Sequence, residues 1–143
     1  MYEILVKKDL TPTITMMEVS APRLAASAQP GQFLIVRTDD NGERVPLTVC
    51  DYDKERGSVT IVTQKVGASS KKICALEQGE SFQDVSGPLG RPSEFVGLSD
   101  EEIKQKRFIF IAGGLGTAPV YPQAKYLYSR GAKVDIIVGA KSA

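Results

Sequence analysis

A glycine-rich segment, GGLGTAP at residues 113–119, lies between the apolar run FIFIA and the helical pattern of YPQAKYLYSR. A strand, glycines and then a helix leave backbone N–H groups open at the helix N-terminus, where a phosphate can approach closely. The spacing Gly114-x-Gly116 fits the start of a dinucleotide fingerprint, although Pro119 stands at the third glycine position. The same residues also fit a tight strand-to-helix turn with Thr117 as its N-cap. Taken alone, the motif favours neither interpretation.

A second candidate motif is RVPLTVCDYD, residues 44–53. The planar fork of Arg44 suits a diphosphate, and Pro46 fixes the backbone at its position. Thr48 adds a hydroxyl beside a strand whose N–H and C=O groups suit the edge of a planar ring. Considered alone, this motif is better explained as an ordinary strand with an exposed arginine.

A third candidate motif is VTQKVGASS, residues 62–70. A strand leads to Gly67, and Ser69 and Ser70 begin a helix, so amides and hydroxyls point towards the place where an anion would bind. A plain helix N-cap after a turn is the simpler interpretation of this motif by itself.

The elements that must position these motifs begin with short strands over residues 1–97. The strand segments are YEILVKK, TITMMEVS, FLIVR, VPLTV, SVTIVTQKV and ESFQDVS. Residues 69–78 form the one helix that the pattern supports, because Ile73 and Leu76 can face inward together and Gly79 can end it. Six short strands with a single helix predict a small antiparallel β-barrel.

The composition and the hydrophobic pattern of the chain change after residue 97. Residues 98–106 are rich in charge and predict a linker. FIFIA and VDIIVGA flank a helix and are continuous apolar runs, typical of strands buried on both faces. Residues 107–143 therefore predict the first βαβ unit of a Rossmann-like NAD(P)-binding α/β domain.

That second domain is predicted to be truncated, because a nucleotide-binding sheet needs more than two parallel strands. At least one apolar strand edge is left unpaired, and such an edge is a template for pairing with another chain. We therefore expect residues 107–143 to be disordered, or to pair or swap with a second copy in a homodimer.

Some residue types are scarce, and their scarcity excludes classes of chemistry. The chain has no histidine, which excludes a Ser-His-Asp triad and the usual zinc ligands. Cys50 and Cys74 lie far apart with no C-x-x-C spacing, so we expect this chain alone to hold no metal and no iron–sulfur cluster. A chain so poor in catalytic side chains is expected to take its chemistry from a cofactor.

The net charge and the hydropathy of the chain limit which partners and which cellular location are expected. A net charge of +1 gives no reason to expect nucleic acid or an anionic membrane as a partner. The start, MYEILVKKDL, has no hydrophobic signal-peptide core, and no apolar run has the length of a membrane span. We therefore expect a cytoplasmic protein.

Taken together and in order, R-x-P-L-T, G-x-x-S, GPLG and strand-GGLGTAP-helix resemble the ferredoxin–NADP⁺ reductase superfamily over essentially the whole chain. Within it, the chain looks most similar to the FAD/NAD(P)-binding alpha subunits of sulfide dehydrogenases and NADH-dependent ferredoxin–NADP⁺ oxidoreductases. The electron-transfer subunit of dihydroorotate dehydrogenase is the alternative, for which R-R-P-x-S and G-P-L-G-x-G-F would be expected. RVPLTVCDYD and GPLGRPSE favour the former.

The resemblance implies a set of cofactor contacts. Arg44 would sit at the FAD diphosphate, and Thr48 would lie near the N5 edge of the flavin ring. The ring would be lined by Pro46, Leu47, Thr48 and Val49, with Thr63, Gln64 and Val66 along its ribityl or dimethylbenzene side. The diphosphate would also meet Gly67, Ser69 and Ser70. The nicotinamide nucleotide would bind Gly113, Gly114, Gly116, Thr117 and Pro119.

The resemblance also implies a function, which is electron transfer from NAD(P)H through FAD to iron–sulfur partners. A [2Fe–2S] centre is expected only in a missing C-terminal part or in a partner, and the truncated chain alone need not be active. The expected partners are a larger flavin/iron–sulfur catalytic subunit and a ferredoxin-type acceptor. An alternative of another class is a flavin-free module that docks or assembles an oxidoreductase complex.

Overall fold

The computed structural model describes residues 2–142, which form two antiparallel sheets, a parallel strand pair and four α-helices. The first part of the chain contains β1 (Tyr2–Thr11), β2 (Ile14–Ser20), α1 (Pro22–Ser27), β3 (Phe33–Arg37), β4 (Val45–Thr48), β5 (Asp51–Asp53), β6 (Ser58–Gln64), α2 (Ala68–Ala75), β7 (Ser81–Phe82) and β8 (Asp84–Leu89). The rest contains a 3-10 turn (Glu94–Gly97), α3 (Asp100–Lys104), β9 (Arg107–Gly113), a second 3-10 turn (Gly114–Gly116), α4 (Thr117–Ser129) and β10 (Lys133–Gly139).

The two antiparallel sheets share one apolar core. Five strands form the first sheet in the order β5-β6-β2-β1-β7, and three form the second in the order β4-β3-β8. Side chains alternate between the faces of each strand, and the inward-facing ones of both sheets meet. The core includes Ile4, Val19 and Ile61 from the first sheet and Leu34 and Val85 from the second.

The chain crosses between the sheets directly after β4. The N–H of Val49 donates to the carbonyl of Gln32 at 3.1 Å, whereas the next N–H, that of Cys50, donates to Thr60 of β6 at 2.8 Å. Residues 51–53 therefore pair with β6 as a strand of their own.

A second crossing lies at Gln83. Phe82 pairs with β1 in the first sheet, whereas Asp84 pairs with β3 in the second. The segment ESFQDVS, predicted as one strand, is therefore two. The antiparallel character of this region is confirmed, but β1 to β8 form two sheets and not one closed six-stranded barrel.

Helix α2 corresponds to the helix predicted at residues 69–78 and ends three residues earlier. Leu76 is already extended at its C-cap. Gly79, with φ of +90°, turns the chain after it, a conformation that a residue with a Cβ rarely adopts.

Two short helices, α1 and α3, lie where the sequence analysis predicted no helix. Helix α1 begins at Pro22, a residue that suits the first turn of a helix, and it buries Leu24 in the core. Helix α3 lies inside residues 98–106, the predicted linker. A capping box at Ser99 starts it, and Ile103 is fully buried.

Strands β9 and β10 are parallel and in register from the Arg107–Lys133 pair to the Gly113–Gly139 pair. Helix α4 connects the two strands and covers one face of the pair. Its Leu127 packs there in a small apolar core that is separate from the core of the antiparallel sheets. The strand–helix–strand order predicted from the sequence is therefore present.

The second face of this strand pair is uncovered in the described residues. Ile109, Ile111 and Ile137 lie on it and are 59%, 79% and 57% exposed. The prediction of strands buried on both faces is therefore wrong for the described chain, because its single connecting helix covers only one face.

Candidate cofactor-binding site

Arg44 lies directly before β4 and is held by two side chains of β8. Its guanidinium donates to the Asp84 carboxylate at 3.1 Å and to the Ser86 hydroxyl at 3.0 Å. Burial acts to raise the pKa of Asp84, but hydrogen bonds from Arg44 and Ser86 outweigh it, so the pKa lies below its ordinary value. The Arg44 side chain remains 52% exposed. It is therefore both oriented and accessible to an anion.

The four predicted ring-lining residues, three in β4 and Val49 directly after it, alternate between the two faces of the sheet. Leu47 packs against the core, and Val49 is 1% exposed within it. Pro46 is exposed and Thr48 is half-buried, as the two-residue period of a strand requires. Pro46 and Thr48 can present side chains to a ligand outside the sheet, whereas Val49 can offer only its backbone.

The predicted contacts on β6 divide in the same way. Thr63 is 4% exposed and faces inward, and its carbonyl accepts from the Cys74 thiol at 3.7 Å. Gln64, the last residue of the strand, is half-buried, and Val66 beyond it is 78% exposed. The Thr63 hydroxyl is therefore turned away from the surface on which Gln64 lies.

The start of α2 offers open backbone. Gly67 is its N-cap, and a Cβ built there would meet no heavy atom of the described residues within 4 Å. The helix sequence, ASSKKICA, has no acidic residue, so the positive end of its dipole is not offset from within the helix. These features fit the phosphate of a cofactor.

The two serines of this helix differ in what they bond. The Ser69 hydroxyl is half-buried and donates to the Glu43 carboxylate. The Ser70 hydroxyl is 8% exposed and accepts from the N–H groups of Val66 and Gly67 at 2.9 and 2.8 Å. Ser69 can exchange its partner for a ligand, whereas Ser70 is committed to its own loop.

The backbone of the glycine-rich loop is accessible to a ligand, as is the backbone at the start of α2. It runs from the end of β9 into α4, and Gly116, not Thr117, is the N-cap. A Cβ built on Gly113, Gly114 or Gly116 would meet no heavy atom of residues 2–142 within 4 Å. Gly114 has φ of +53°, which favours glycine. A phosphate or ring can therefore approach this backbone closely.

A cleft of about 1180 Å³ separates the β1–β2 turn from the carboxyl ends of β9 and β10. Gln64 lines one side, and Gly113 and Gly114 line the other. Ligands of open α/β sheets bind at the carboxyl ends of parallel strands. The structure thus brings one predicted barrel residue and two predicted loop residues around one cleft.

A neighbouring cleft of about 590 Å³ shares Gly114 with the first and includes Thr117. Its wall on the first sheet is apolar and is formed by Ile14, Met16 and Val62. These residues were not predicted, although β2 and β6 carry apolar residues at both parities, which signals a second covered face. Gly116 and Pro119 are not among the described residues that line either cleft.

The remaining predicted contacts form a separate group. Ser69 lines a smaller cavity of about 210 Å³ with Glu43 and Lys72, and Arg44 is the next residue after Glu43. The structure therefore gathers the predicted residues in two places. One lies at the start of β4 and α2, and the other lies at the glycine-rich loop.

Cys50, which was not among the predicted cofactor contacts, lines the 590 Å³ cleft. Burial, and to a lesser degree the charge of Asp51, raises the pKa of this thiol to about 11. The thiol is therefore neutral at physiological pH. Within residues 2–142, no group of three His, Cys, Asp or Glu side chains is placed to hold a metal ion, and none of the helices has the length and apolarity to cross a bilayer.

The chain is similar to electron-transfer proteins in both sequence and structure. It is 32% identical over 140 residues to a dihydroorotate dehydrogenase B electron transfer subunit homolog of Thermotoga maritima. It is 52% identical over 142 residues to an uncharacterized protein of Clostridium beijerinckii. These alignments cover 98% and 99% of this chain. No family model matches it.

Among solved structures, the chain matches that of an NADH-dependent reduced ferredoxin–NADP oxidoreductase with a TM-score of 0.90 and 32% identity, over 100% of this chain and 49% of the other. Phthalate dioxygenase reductase, at 22% identity and a TM-score of 0.76 over 99% of this chain and 43% of the other, shares the fold. The predicted resemblance is confirmed. The chain spans about half the length of the curated relatives, 48% and 47% of the two named above.

Proposed function

We propose that this chain, which has the fold of the ferredoxin-reductase-like electron-transfer proteins, holds FAD near β4 and α2 and presents its glycine-rich loop to NAD(P)H. The observation that carries the proposal is the pair of open helix starts, at Gly67 and at Gly113–Gly116, in a chain that matches a flavin-based oxidoreductase with a TM-score of 0.90. Each start leaves backbone N–H groups accessible to phosphate.

The chain's own residues bind and orient the cofactor in this proposal. Arg44, aimed by Asp84, and the amides after Gly67 would bind the diphosphate, with Ser69 exchanging Glu43 for a phosphate oxygen. Pro46 and the Thr48 hydroxyl would meet the ring. When bound, FAD would supply hydride acceptance and single-electron release, so no general acid or base of this chain is needed.

The glycine-rich loop would bind the pyridine nucleotide in the same scheme. Gly113 and Gly114 line the 1180 Å³ cleft, and Thr117 lines the cleft next to it. Both clefts separate this loop from the first sheet. A nucleotide in this position would lie between the two parts of the chain.

We propose two structural units with the boundaries predicted from the sequence, a cofactor-holding unit at 1–97 and a nucleotide unit at 107–143, joined by 98–106. Two separate apolar cores support this division. One joins the two antiparallel sheets, and the other surrounds Leu127 of the nucleotide unit together with Ile103 of the joining segment. We place the protein in the cytoplasm, in line with its sequence.

The partners follow from the relatives' names. Electron transfer subunits work with a catalytic subunit, so we propose a larger flavin/iron–sulfur partner or a ferredoxin-type acceptor, with any [2Fe–2S] centre outside these 143 residues. The match to dihydroorotate dehydrogenase B subunits, 32% identical in one case, favours that complex as a second candidate. Pairing of this chain with a second copy through the uncovered face of β9 and β10 is a further proposal.

Titration of the flavin-free chain with FAD tests the central claim. We expect one FAD per chain, with quenching of flavin fluorescence. Gly67 has φ of −151°, which any residue adopts, so Gly67→Val fills the open space without backbone strain. We expect it to weaken FAD binding at least tenfold, on the order of 1.4 kcal/mol.

Gly97→Val is the matched control, because a Cβ at Gly97 also meets no described atom within 4 Å and lies outside both predicted binding groups. We expect it to bind FAD as the unchanged chain does. Failure of the unchanged chain to bind FAD would overturn the proposal and favour a flavin-free docking module.

A further inference from the structure

One side chain of α4 links the segment after β8 to the glycine-rich loop. The amide oxygen of Gln123 accepts from the Ser93 hydroxyl at 2.8 Å, and its amide nitrogen donates to the carbonyl of Pro119 at 3.1 Å. Pro119 belongs to the GGLGTAP segment. Gln123 therefore contacts the first turn of α4 and the preceding part of the chain at once.

Ser93 is itself fixed to the turn that leads into β3. Its N–H donates to the carbonyl of Pro30 at 2.8 Å. A Cβ built on Gly31 would lie 2.5 Å from the Ser93 hydroxyl oxygen, so backbone and side chain are in close contact there. Gln123 is thus bonded to a residue that also contacts the turn before β3.

Lys125 makes a second link from the same helix. Its ammonium lies 2.9 and 3.2 Å from the two carboxylate oxygens of Asp51. Asp51 begins β5, three residues after Thr48. The hydrogen bond to Asp51 raises the pKa of Lys125 above its ordinary value, and burial opposes this, so the Lys125 ammonium stays charged at neutral pH.

The space beside these links is not filled by packed side chains. A cavity of about 400 Å³ lies between α4 and the sheets and is lined by Asp51, Lys125 and Tyr126. Among the described residues, three side-chain hydrogen-bonded links join α4 to residues 2–97, the third being a 3.5 Å contact from Tyr126 to the Val96 carbonyl. Phe95 also packs on Tyr126 of α4, with ring centroids 5.8 Å apart, so the polar links and this aromatic contact together orient α4.

We propose that Gln123 and Lys125 are positioning residues, which hold the glycine-rich loop at a fixed place relative to β4. This inference rests on the proposed function for the identity of the ligands. A nucleotide on the loop and a flavin at β4 must meet for hydride transfer, and misplacement of reacting groups by about 1 Å costs on the order of 100-fold in rate. Loss of either link should therefore lower turnover and leave FAD affinity unchanged.

The first test uses the chain without cofactor. Hydrogen exchange of the amides of residues 113–117 is compared in the unchanged chain, Gln123→Leu, Lys125→Met and Lys133→Met. Lys133 is exposed on β10, so its variant makes the same chemical change away from the links. We expect exchange about tenfold faster in the first two variants and unchanged exchange in the third. Ser93→Ala removes the Gln123 link without altering α4 and covers a folding failure of Gln123→Leu.

The second test uses the FAD-loaded chain with NADPH and an artificial electron acceptor. We expect kcat to fall about tenfold in Lys125→Met, with an unchanged dissociation constant for FAD. The charge exchange Asp51→Lys with Lys125→Asp restores the ion pair and should recover at least half of the lost rate. A purely structural role would not predict this recovery.

The outcomes separate the two proposals. Equal exchange at residues 113–117 in every variant, or a fall in FAD affinity in place of kcat, would overturn the positioning role. A chain that binds no FAD would overturn the proposed function, and the exchange comparison would still decide whether Gln123 and Lys125 fix the loop.

Discussion

The Ser70 hydroxyl accepts a hydrogen bond from the N–H of Gly67 at 2.8 Å and donates one to the carbonyl of the same residue at 3.0 Å. It also accepts from the N–H of Val66 at 2.9 Å. This serine closes the loop before α2 from the inside. Ser70 therefore has a part in the fold in addition to the ligand contact that the resemblance implies.

Replacing Ser70 with alanine is expected to destabilise the chain. The backbone N–H groups of Val66 and Gly67 would lose their acceptor, and loss of such a helix-start contact costs about 1–2 kcal/mol in the free energy of unfolding. Urea denaturation of Ser70→Ala measures this loss. Ser69→Ala is the control, because Ser69 bonds only the exposed Glu43, and it should unfold within about 0.5 kcal/mol of the unchanged chain. Equal stability of both variants would contradict the internal role of Ser70.

Arg44→Ala is expected to weaken FAD binding by about 1–3 kcal/mol, because a charge-assisted contact to phosphate is lost. Fluorescence titration with FAD measures the change. Arg107→Ala is the matched control, since Arg107 is also an exposed arginine paired with a carboxylate, that of Asp135 at 2.7 Å. Arg107 lies at the end of β9 opposite to the glycine-rich loop. Equal losses in both variants would mean that Arg44 has no specific role.

Thr48→Val is expected to change flavin reactivity more than flavin affinity. The substitution keeps the shape of the side chain and removes the hydroxyl that faces outward from β4. Loss of one hydrogen bond of about 1 kcal/mol would change the rate of flavin reduction roughly fivefold, which stopped-flow absorbance measures. Thr63→Val, on the inward face of β6, should alter stability and leave that rate unchanged. A normal rate in Thr48→Val would remove Thr48 from the ring site.

The order of elements could be predicted because hydrophobic periodicity is a local property. The apolar runs FIFIA and VDIIVGA predict strands, and the pattern between them, after GGLGTAP, predicts a helix. The structure has β9, β10 and α4 at those places. The crossings at Val49–Cys50 and at Gln83 could not be predicted. They depend on which distant carbonyl each N–H meets, and a local pattern carries no such information.

The sequence could predict the open backbone near the candidate site but not the faces on which the side chains lie. The open glycines are visible in the sequence because the absence of a Cβ is itself the functional property. Which face of a strand a side chain occupies depends on the packing of both sheets. For that reason Val49 and Thr63 were expected to line a ligand although they face inward, and the outward Met16 and Val62 were not identified.

The stability of the chain is expected to fall as the pH rises from about 9 to about 11. The pKa of Cys50 is raised to about 11 from an ordinary value of 9.0, first by burial and then by the charge of Asp51. The folded state thus favours the neutral thiol, and the stability that this contributes is present below pH 9 and lost as the pH approaches 11. Urea denaturation from pH 8 to 11 measures the loss. Tyr52, whose pKa is also raised mainly by burial, titrates in both proteins, so the difference between the unchanged chain and Cys50→Ser isolates Cys50.

The uncovered face of β9 and β10 is expected to make the 143-residue chain associate. Ile109, Ile111 and Ile137 form an exposed apolar surface, and β9 and β10 pair only with each other among the described residues. Apolar faces and free strand edges of this kind promote pairing between chains. Size-exclusion chromatography with light scattering should show a mass that rises with concentration, and Ile111→Lys should lower it. Tyr128→Lys is the control, because Tyr128 is 76% exposed on α4 and off the strand face. A chain that stays monomeric at high concentration, with Ile111→Lys unchanged from it, would contradict this expectation.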